Sequence, residues 1–406
     1  MPTALVFNPG SNSLKFEVIQ CEGGQQIASH AKKLASASVD DIGKQTKLLV
    51  YHGREVVSAD AKQVRDMREA VAAALAWLQR DDALRRVLEH LAFIGIRVVH
   101  GGPRYATATR VTPQVRSDIE ALEDLAPLHN QSSLDILAAL DGELAGVPVF
   151  VAFDTAFHRT LPEKAWRYPI ERETANRHGV RKFGFHGLSH RYMLEQYAHT
   201  VGKQPEAINL VMLHLESGCS ACAIERGQSI DTTMGLTPLE GLMMGSRSGS
   251  IDPAIVPYLM RKENKSADDI LTLLNKQSGL LGIAGGSLDT RELVKRNDDA
   301  AKLALEMFSY RVRLAVGAYL AALGSAEAVL FGGGIGEDSP WLREAVCAGL
   351  GGWGVELDKA ANKSIAGMCR ITTEASRLHA WAMSVDEGLQ IAHECMQSLS
   401  SVQISC

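Results

Sequence analysis

The chain has 406 residues, 46% of them hydrophobic and 22% charged, and a formal net charge of -5. This size fits two domains of an ordinary soluble globular protein. Because there is no long Lys/Arg run and no apolar stretch of membrane-spanning length, we expect no nucleic acid and no membrane as partner. The start of the chain lacks the pattern of a secretory signal and the seven cysteines are scattered, so we expect reduced thiols and a cytoplasmic location.

A hairpin with a polar turn is predicted at the start of the chain. Residues 3–7 and 17–20 have the apolar character of strands, and the polar run 8–13 joins them. The backbone N–H groups and hydroxyls of such a turn can cradle a phosphate, with Lys15 adding positive charge. A plain hairpin turn is the commoner explanation for a single pattern of this kind.

A second hairpin follows the same plan about half a chain later. Strands predicted over 208–214 and 221–225 flank the small polar turn 216–220. The repetition predicts an α/β architecture built twice, with a cleft between the halves. The other predicted elements are a helix over 68–79, strands over 92–99 and 148–153, a helix over 299–323, a strand over 326–331 and a closing helix over 388–400.

Polar clusters are predicted at the ends of strands, where open α/β sheets place their ligands. Each contains histidine together with Arg, Asp, Asn or Gly, at 97–102, 127–130, 153–158 and 183–190. A single histidine is more often a structural residue than a catalyst. Four such clusters in one chain favour a functional site.

Two further segments lack a regular period. The run 236–249 contains three glycines and a proline, so it is predicted to be a loop, and its Arg247 suits a carboxylate or phosphate unless it is simply a solvated surface arginine. The glycines of 332–338 predict a loop that a flat or phosphorylated ligand can approach closely, although tight turns use the same residues. Cys219 and Cys222 form a lone C-x-x-C, which we interpret as structural thiols because a second pair for zinc is missing from the sequence.

In combination, these motifs resemble acetate kinases and the related propionate kinases along nearly the whole chain. The resemblance rests on residues 8–16, 97–102, 127–130, 153–158, 185–190, 236–249 and 331–338. It implies the duplicated actin-like ATPase fold shared with sugar kinases and heat-shock ATPases, an α/β fold with domains over 1–153 plus 387–406 and over 154–386. It further implies a homodimer and phosphoryl transfer between ATP and acetate or propionate, with Mg²⁺ or alternatively Mn²⁺.

The resemblance also assigns roles to single residues. The catalytic positions are Arg97, Asp154, His186 and Arg247. The magnesium site corresponds to Asn8 and Glu387, with Asp154 as a second magnesium-associated acid. The substrate-binding positions are Arg97, Val99, Leu128, Phe185 and Pro238. The nucleotide-binding positions are Asn8, Ser11, Ser13, Lys15, His129, His214, Ser217, Gly218, Asp289, Thr290, Arg291, Gly332, Gly334, Ile335 and Gly336.

Elementary chemistry agrees with these roles. A carboxylate acceptor is ionised at neutral pH, so its attack on a phosphoryl group requires no general base. The reaction instead requires that two anions be aligned and their repulsion cancelled. Two arginines, a histidine donor and a metal ion supply both functions.

Some residues depart from the pattern of the family. Relatives generally read His-Leu-Gly-Asn-Gly-Ala-Ser where this chain has His-Leu-Glu-Ser-Gly-Cys-Ser at 214–220. Glu216 and Ser217 therefore replace Gly and Asn, while Ile96 and Ser250 stand where His and Asp are usual. A glutamate pointing into the site would repel polyphosphate, whereas one pointing outward would be a harmless surface charge. Three alternatives stay open: another short-chain acid, another phosphoryl donor such as pyrophosphate, or a weakly catalytic nucleotide-binding regulatory protein.

Overall fold

The computed structural model describes residues 1–21, 31–52, 55–61 and 63–404 of the chain. The chain divides into two compact units, Met1–Phe157 with Asp386–Cys406 (unit 1) and His158–Val385 (unit 2). Each unit is built around its own β-sheet. Within the described ranges, no helix combines the length and apolar character needed to cross a lipid bilayer.

The strands fall into one sheet of eight and one of six. Unit 1 contains β1 (Thr3–Pro9), β2 (Leu14–Cys21), β3 (Ala31–Asp40), β4 (Lys47–His52), β5 (Glu55–Ala61), β6 (Phe93–Val98), β7 (Thr109–Arg110) and β8 (Val149–Phe153). Unit 2 contains β9 (Leu210–Leu215), β10 (Cys219–Glu225), β11 (Gln228–Thr232), β12 (Ala328–Gly332), β13 (Cys369–Arg370) and β14 (His379–Ala382).

The helices of the described chain alternate with these strands. In chain order they are α1 (Met67–Leu78), α2 (Asp82–Leu88), α3 (Pro113–Glu120), α4 (Pro127–Glu143), α5 (Glu163–Trp166), α6 (Arg172–Arg177), α7 (Gly187–Val201), α8 (Ile255–Glu263), α9 (Ala267–Lys276), α10 (Gly279–Ala284), α11 (Thr290–Lys295), α12 (Asp299–Leu323), α13 (Gly333–Asp338), α14 (Pro340–Cys347), α15 (Lys359–Lys363) and α16 (Glu387–Ile404).

The two sheets repeat one topology. The first runs β5-β4-β3-β2-β1-β6-β8-β7, and the second runs β11-β10-β9-β12-β14-β13. In each, a hairpin leads into two parallel neighbours, and a short strand pairs antiparallel at the end. Aside from β4 and β5, the order and directions correspond strand for strand. The predicted repetition of an α/β plan is thereby confirmed.

Helices cover the first sheet with apolar side chains. Phe7 and Phe16 are paired across the β1–β2 hairpin and belong to a buried cluster that includes residues of α1 and α4. Helix α16 packs against β1, β2, β6 and β8. Gly95 of β6 allows this close approach, because a Cβ there would lie 2.9 Å from the Ile391 side chain.

Local sequence signals set the bounds of α12. Asp298 precedes it and accepts a hydrogen bond from the Ala301 N–H at 3.0 Å, while Gly324 follows it with φ of 67°. An acidic N-cap and a glycine with positive φ are strong start and stop signals. The helix predicted over 299–323 is therefore confirmed at both ends.

Three predictions about segments were wrong. Residues 183–190 do not follow a strand, because an irregular stretch after α6 leads to them and α7 begins at Gly187. Residues 127–130 do not follow a strand but form the first turn of α4, which Pro127 begins. Residues 332–338 are not a loop, because β12 ends at Gly332 and α13 begins at the next residue. Gly333 makes this abrupt junction with φ of 77°, and a Cβ there would lie 2.7 Å from the Leu215 carbonyl oxygen. The glycines therefore serve a tight strand-to-helix junction.

Candidate active site

The ends of two parallel strands bring charged side chains together in unit 1. Arg97 lies in β6, and Asp154 follows its parallel neighbour β8. The Arg97 guanidinium donates two hydrogen bonds to the Asp154 carboxylate, from Nε to Oδ1 at 2.9 Å and from Nη2 to Oδ2 at 2.6 Å. Asp154 is fully buried, so this bidentate pair fixes the plane of the guanidinium.

Two more residues complete this group. Arg97 Nη1 donates to Asn8 Oδ1 at 3.0 Å and lies 3.3 Å from Glu387 Oε2. The Asn8 amide donates to the same Glu387 oxygen at 2.8 Å. Asn8, Arg97, Asp154 and Glu387, predicted from separate motifs, therefore meet in one place, which we call the Arg97 cluster.

Helix α4 fixes the chain that follows β6. Ser133 Oγ donates to the Arg97 carbonyl at 2.9 Å. Asn130 Oδ1 accepts from the His100 N–H at 3.1 Å, and its amide donates to the His100 carbonyl at 3.2 Å. The predicted cluster 127–130 thus contributes a scaffold residue, Asn130. His129 is half-buried in the same turn, while the side chain of Leu128 lies outside the described residues.

An ion-paired lysine, which the sequence did not reveal, holds the start of α16. Lys33 Nζ lies 2.6 Å from Asp386 Oδ2 and 2.7 Å from Glu17 Oε1. Asp386 also accepts from the Leu389 N–H at 3.1 Å in the first turn of α16. Burial lowers the pKa of Lys33, but the two carboxylates together outweigh burial and the net pKa is raised. The available signal was Glu17, a charged residue at a buried position of the apolar strand β2.

Histidines and serines converge in unit 2. His186 Nδ1, just before α7, lies 2.9 Å from Ser220 Oγ in β10, and His190 Nε2 lies 2.9 Å from the same hydroxyl. His214 Nδ1 lies 2.6 Å from Ser189 Oγ, and the His186 and His214 rings are 4.2 Å apart. Sequence reasoning selected His186 and His214 but missed both serines. Ser220 belongs to β10, which begins at Cys219, and not to the predicted turn 216–220; the available signal was its place directly before an apolar stretch.

His158 supports the turn that carries His186. Its Nε2 lies 2.9 Å from the Phe185 carbonyl oxygen and its Nδ1 lies 2.8 Å from Ser229 Oγ. Burial lowers the pKa of His158 to about 4, so the ring is neutral at pH 7. A carbonyl only accepts, hence Nε2 carries the proton and Nδ1 accepts from Ser229. The Phe185 side chain is buried.

The segment 236–249 contains neither helix nor strand, as predicted, and Arg247 is half-buried in it. Arg247 Nη1 donates to the Pro238 carbonyl at 3.0 Å. The Gly245 N–H donates to the Ser217 carbonyl at 3.1 Å, which ties the loop to the second hairpin turn. A Cβ at Gly218 would lie 3.3 Å from His186 Nε2 and 3.6 Å from Arg247 Nη1. His186 Nε2 and Arg247 Nη1 therefore both lie beside the bare Gly218 backbone.

Two groups of the residues predicted to bind nucleotide lie around α11 and in α13. Asp289 precedes α11 and pairs with Arg291, and the hydrogen bonds from Arg291 lower the pKa of Asp289. Thr290 is buried and Arg291 exposed. Gly334, Ile335 and Gly336 lie in α13, whose carbonyls at Gly336 and Glu337 accept from the buried Arg343.

The first hairpin carries the remaining predicted phosphate-side residues, Ser11 and Ser13 in its turn and Lys15 in β2. Ser11 and Lys15 are exposed, Ser13 is half-buried, and the Gly10 N–H donates to the Ser13 carbonyl at 2.8 Å. Val99, predicted at the acyl tail, is buried directly after β6. Burial raises the pKa of the Cys219 thiol to about 12, which fits the structural role predicted for the C-x-x-C pair.

The departures from the family pattern differ in their surroundings. The exposed Glu216 carboxylate lies 3.7 Å from His214 Nε2, and a Cβ at Gly334 would lie 3.9 Å from its Oε1. Ser217 is also exposed. Ile96 belongs to the hydrophobic core of unit 1. Ser250 Oγ accepts from the Gly241 N–H at 3.1 Å, which closes the loop. Glu216 is therefore the departure that places a charge beside a candidate site residue.

The Arg97 cluster offers the oxygen ligands that magnesium prefers, the Glu387 carboxylate and the Asn8 amide oxygen. Among the residues that the structure describes, no group of three His, Cys, Asp or Glu side chains is placed to hold a metal ion. Magnesium is commonly held by one or two carboxylates together with substrate phosphates and water. This donor set fits a magnesium ion that arrives with a phosphorylated substrate.

Known proteins resemble the chain over almost its full length. Residues 3–393 match the model of the acetokinase family. The acetate kinase of Chloroherpeton thalassium is 41% identical, over 96% of this chain and 97% of its own length.

Solved structures agree. The crystal structure of Porphyromonas gingivalis acetate kinase has 34% sequence identity and a TM-score of 0.87, covering 98% of this chain and 100% of that one. A propionate kinase from Francisella tularensis has 34% identity and a TM-score of 0.88, covering 97% and 99%. The predicted fold class is confirmed: the chain has a duplicated α/β fold and shares it with solved acetate and propionate kinases.

Proposed function

The chain belongs to the acetokinase family, and from this premise we propose that it is a carboxylate kinase. It transfers a phosphoryl group reversibly between ATP and acetate, or propionate, to give ADP and the acyl phosphate. The observation that carries the proposal is the family match over residues 3–393 together with retention of both arginines, both acids and His186. A carboxylate oxygen attacks the γ-phosphorus as the bond to the β–γ bridging oxygen breaks.

In this proposal the Arg97 cluster positions anionic groups. Asp154 holds the guanidinium bidentately, so Arg97 presents its remaining N–H groups in a fixed direction. Asn8 and Glu387 are the residues that would hold magnesium, with Asp154 behind Arg97. Magnesium, when bound, neutralises charge on the transferring phosphates.

Arg247 and His186 are proposed to stabilise the transferring phosphoryl group. Both direct a nitrogen toward the space beside Gly218. A phosphoryl group in that space would accept hydrogen bonds from a permanent cation and from an imidazole N–H. Donors already in position need no reorganisation during the reaction, which makes their stabilising effect large.

We also propose that the protein is a homodimer and acts in the cytoplasm. Helix α12 exposes Leu303, Tyr310 and Leu314, spaced seven and four residues apart along one stripe. Exposed apolar stripes of this kind mark protein interfaces. The described cysteines are free thiols, which fits a reducing compartment.

Hydroxamate trapping of the acyl phosphate tests the activity. We expect product from MgATP with acetate or propionate, and a loss of about 10²-fold to 10³-fold in kcat for Arg247→Ala and for Arg97→Ala, because each removes a charge from the reacting groups. Arg261→Ala, an exposed arginine of α8, is the matched control and should retain full activity. A wild-type kcat in Arg247→Ala or in Arg97→Ala would contradict the role proposed for that arginine.

The position of Glu216 favours one alternative, a phosphoryl donor less charged than ATP. Its carboxylate beside His214 opposes a polyphosphate in the same place. The same assay with pyrophosphate and with butyrate separates the readings. Product from pyrophosphate alone would replace ATP as the donor, and no product from any pair would favour a nucleotide-binding regulatory protein.

A further inference from the structure

One buried hydroxyl joins two histidines of unit 2. Ser220 Oγ lies 2.9 Å from His186 Nδ1 and 2.9 Å from His190 Nε2. His186 is the residue immediately before α7, with φ of 58°, and His190 lies in the first turn of that helix. Ser220 and His190 have no exposed surface, and His186 is 9% exposed. Water therefore has little access to the hydrogen bonds among them.

A serine hydroxyl has a single proton, so it can donate to only one of the two histidines at a time. The protonation of one ring at its Ser220 contact therefore depends on that of the other. If Ser220 donates to His186 Nδ1, it accepts from His190 Nε2–H, and a neutral His186 carries its proton on Nε2. If Ser220 instead donates to His190 Nε2, it accepts from His186 Nδ1–H, and Nε2 of a neutral His186 is bare. The two arrangements give His186 opposite properties at Nε2.

The surroundings of His186 favour the first arrangement. Its Nε2 faces the space beside Gly218 that Arg247 Nη1 also faces, and an anion there would accept a hydrogen bond only from a protonated Nε2. Burial lowers the pKa of His190 well below its ordinary value, with smaller contributions from His158 and His214. His190 is therefore neutral and has one N–H to offer.

His214 shows the same pattern. Its Nδ1 lies 2.6 Å from Ser189 Oγ, while the Glu216 carboxylate lies 3.7 Å from its Nε2. A nearby carboxylate favours a proton on the ring nitrogen that faces it. Nδ1 of a neutral His214 then accepts from Ser189. Two serines thus meet two neighbouring imidazoles at Nδ1.

We propose that Ser220, supported by His190, is a positioning residue that donates its proton to His186 Nδ1 and so keeps the His186 proton on Nε2, directed at the phosphoryl group. The final clause rests on the proposed kinase function. So does the choice between the two arrangements, because the hydrogen bonds to Ser220 allow either of them; the tautomer can nevertheless be measured in a protein without kinase activity.

Nitrogen NMR of the full-length protein, labelled with ¹⁵N at histidine, reads the tautomer directly. His186→Asn assigns the signals. In the wild-type protein we expect a protonated Nε2 and a bare Nδ1 at His186. Ser220→Ala, and Ser220→Cys, whose thiol fills the same space but is a weak donor, should shift the population toward Nδ1–H. Ser220→Thr keeps the hydroxyl and should keep the wild-type tautomer.

Ser229→Ala is the matched control. It also removes a buried serine hydroxyl from a histidine Nδ1, but from His158, so the His186 signals should stay unchanged. An Nδ1–H tautomer in the wild-type protein, or an unchanged His186 in folded Ser220→Ala and Ser220→Cys, would overturn the proposal. Loss of the Nε2–H form in Ser220→Thr would also overturn it, because a hydroxyl at position 220 would then not decide the tautomer.

Kinetics separate this inference from the proposed function. Ser220→Ala should lower kcat by about 10-fold to 100-fold, the range for a group that orients another, with KM for both substrates unchanged. If the wild-type protein shows no kinase activity while the NMR result holds, the positioning role stands and the function falls. If the kinase is active and Ser220→Ala changes neither tautomer nor kcat, the function stands and the positioning role falls.

Discussion

Arg97 is surrounded by more negative than positive charge. Within the Arg97 cluster one guanidinium faces two carboxylates, Asp154 and Glu387, so these three side chains sum to one negative charge. An anionic substrate alone would be repelled there at short range. A divalent cation reverses the sign, which supports the proposal that a magnesium complex, and not the free phosphate compound, is the species that binds.

Glu216 gives a prediction at the scale of one residue. Replacing it by Gln removes a charge beside His214 while keeping its size, so we expect KM for MgATP to fall about fivefold, the effect of roughly 1 kcal/mol of relieved repulsion. KM for acetate should not change. Initial rates against MgATP concentration, at low and high salt, provide the measurement.

The control for this variant is Glu225→Gln, at the exposed end of β10. It makes the same change of charge farther along the strand and should leave KM for MgATP unaltered. High salt should narrow the difference in KM for MgATP between Glu216→Gln and the wild-type protein, because salt screens exposed charges. An unchanged KM at low salt would contradict a role of Glu216 in donor binding.

His158 gives a prediction about acid stability. Its pKa is lowered by burial to about 4, whereas in the unfolded chain it has the ordinary value of 6.5. Between these values only the unfolded state binds the proton, so stability is complete above pH 6.5 and declines as pH falls toward 4. The loss from this group is about 3 kcal/mol.

Urea unfolding at a series of pH values checks the His158 prediction. His158→Gln should be less stable than wild type at pH 7 but should lose less stability between pH 6.5 and pH 4. His178→Gln, an exposed histidine after α6, should follow the wild-type curve. Equal pH slopes for wild type and His158→Gln would contradict the assignment of a buried neutral ring.

At the scale of the element, the sequence predicted those pieces whose signals are local. The strands of both hairpins and the bounds of α12 follow from apolar periodicity and from caps at Asp298 and Gly324. The glycines of 332–338 led to the wrong prediction of a loop. Glycine is used both in ligand-binding loops and in tight junctions such as the one between β12 and α13. Their sequence signal does not distinguish these two uses.

The predicted site shows the same limit. Arg97 and Asp154 could be selected as candidates, but their bidentate pairing depends on β6 and β8 being parallel neighbours, which is a long-range property. Ser220, His190 and Lys33 escaped selection because their importance comes from partners far away in sequence. The available signal was a polar residue beside or within an apolar stretch of sequence, as at Glu17 and Ser220.

The turn before α7 gives a prediction at this scale. Gly184 has φ of 78°, and a Cβ there would lie 2.5 Å from Thr232 Cγ2 and 2.7 Å from the His158 ring. Gly184→Ala should therefore displace the turn that carries His186, with a loss of about 1–3 kcal/mol in stability and a clear loss of kcat. Thermal unfolding and the hydroxamate assay measure the two effects.

Gly179→Ala is the matched control for Gly184→Ala. Gly179 also has a positive φ, 64°, but a Cβ there meets nothing within 4 Å. This variant tests backbone strain without a steric clash. It should lower the free energy of unfolding by about 1 kcal/mol and leave kcat unchanged. Equal losses in both variants would mean that strain alone, and not the contact with His158, explains Gly184.

At the scale of the whole molecule, duplication places corresponding residues in related positions. His186 and Glu387 both lie at the start of a helix, immediately before a Gly-Leu pair. In unit 1 the residue at this position is Glu387, which contacts Arg97 and Asn8. In unit 2 it is His186, which shares the Ser220 hydroxyl with His190. One backbone plan thus supports an acidic group in one half and an imidazole group in the other.

The apolar stripe of α12 gives a prediction about assembly. If the protein is a homodimer that uses Leu303, Tyr310 and Leu314, Leu314→Glu should place charge in the interface and shift the protein to monomer at micromolar concentration. Sedimentation velocity measures the change. Leu34→Glu makes the same substitution at another exposed leucine, on β3 of unit 1, and should leave the mass of the assembly unchanged. A dimer that survives Leu314→Glu would exclude the stripe as the interface.

The return of α16 to unit 1 has a consequence for biosynthesis. Unit 2 is one continuous stretch of chain, whereas unit 1 needs its first strands and the final helix together. During synthesis, β1, β2, β6 and β8 remain uncovered until α16 has left the ribosome. Asn8 likewise lacks its hydrogen bond to Glu387 until then. A nascent chain halted before α16 therefore contains Arg97 and Arg247 but an incomplete Arg97 cluster. Phosphoryl transfer therefore requires a chain that includes α16, and a chain interrupted before it leaves the first sheet exposed to chaperones and proteases.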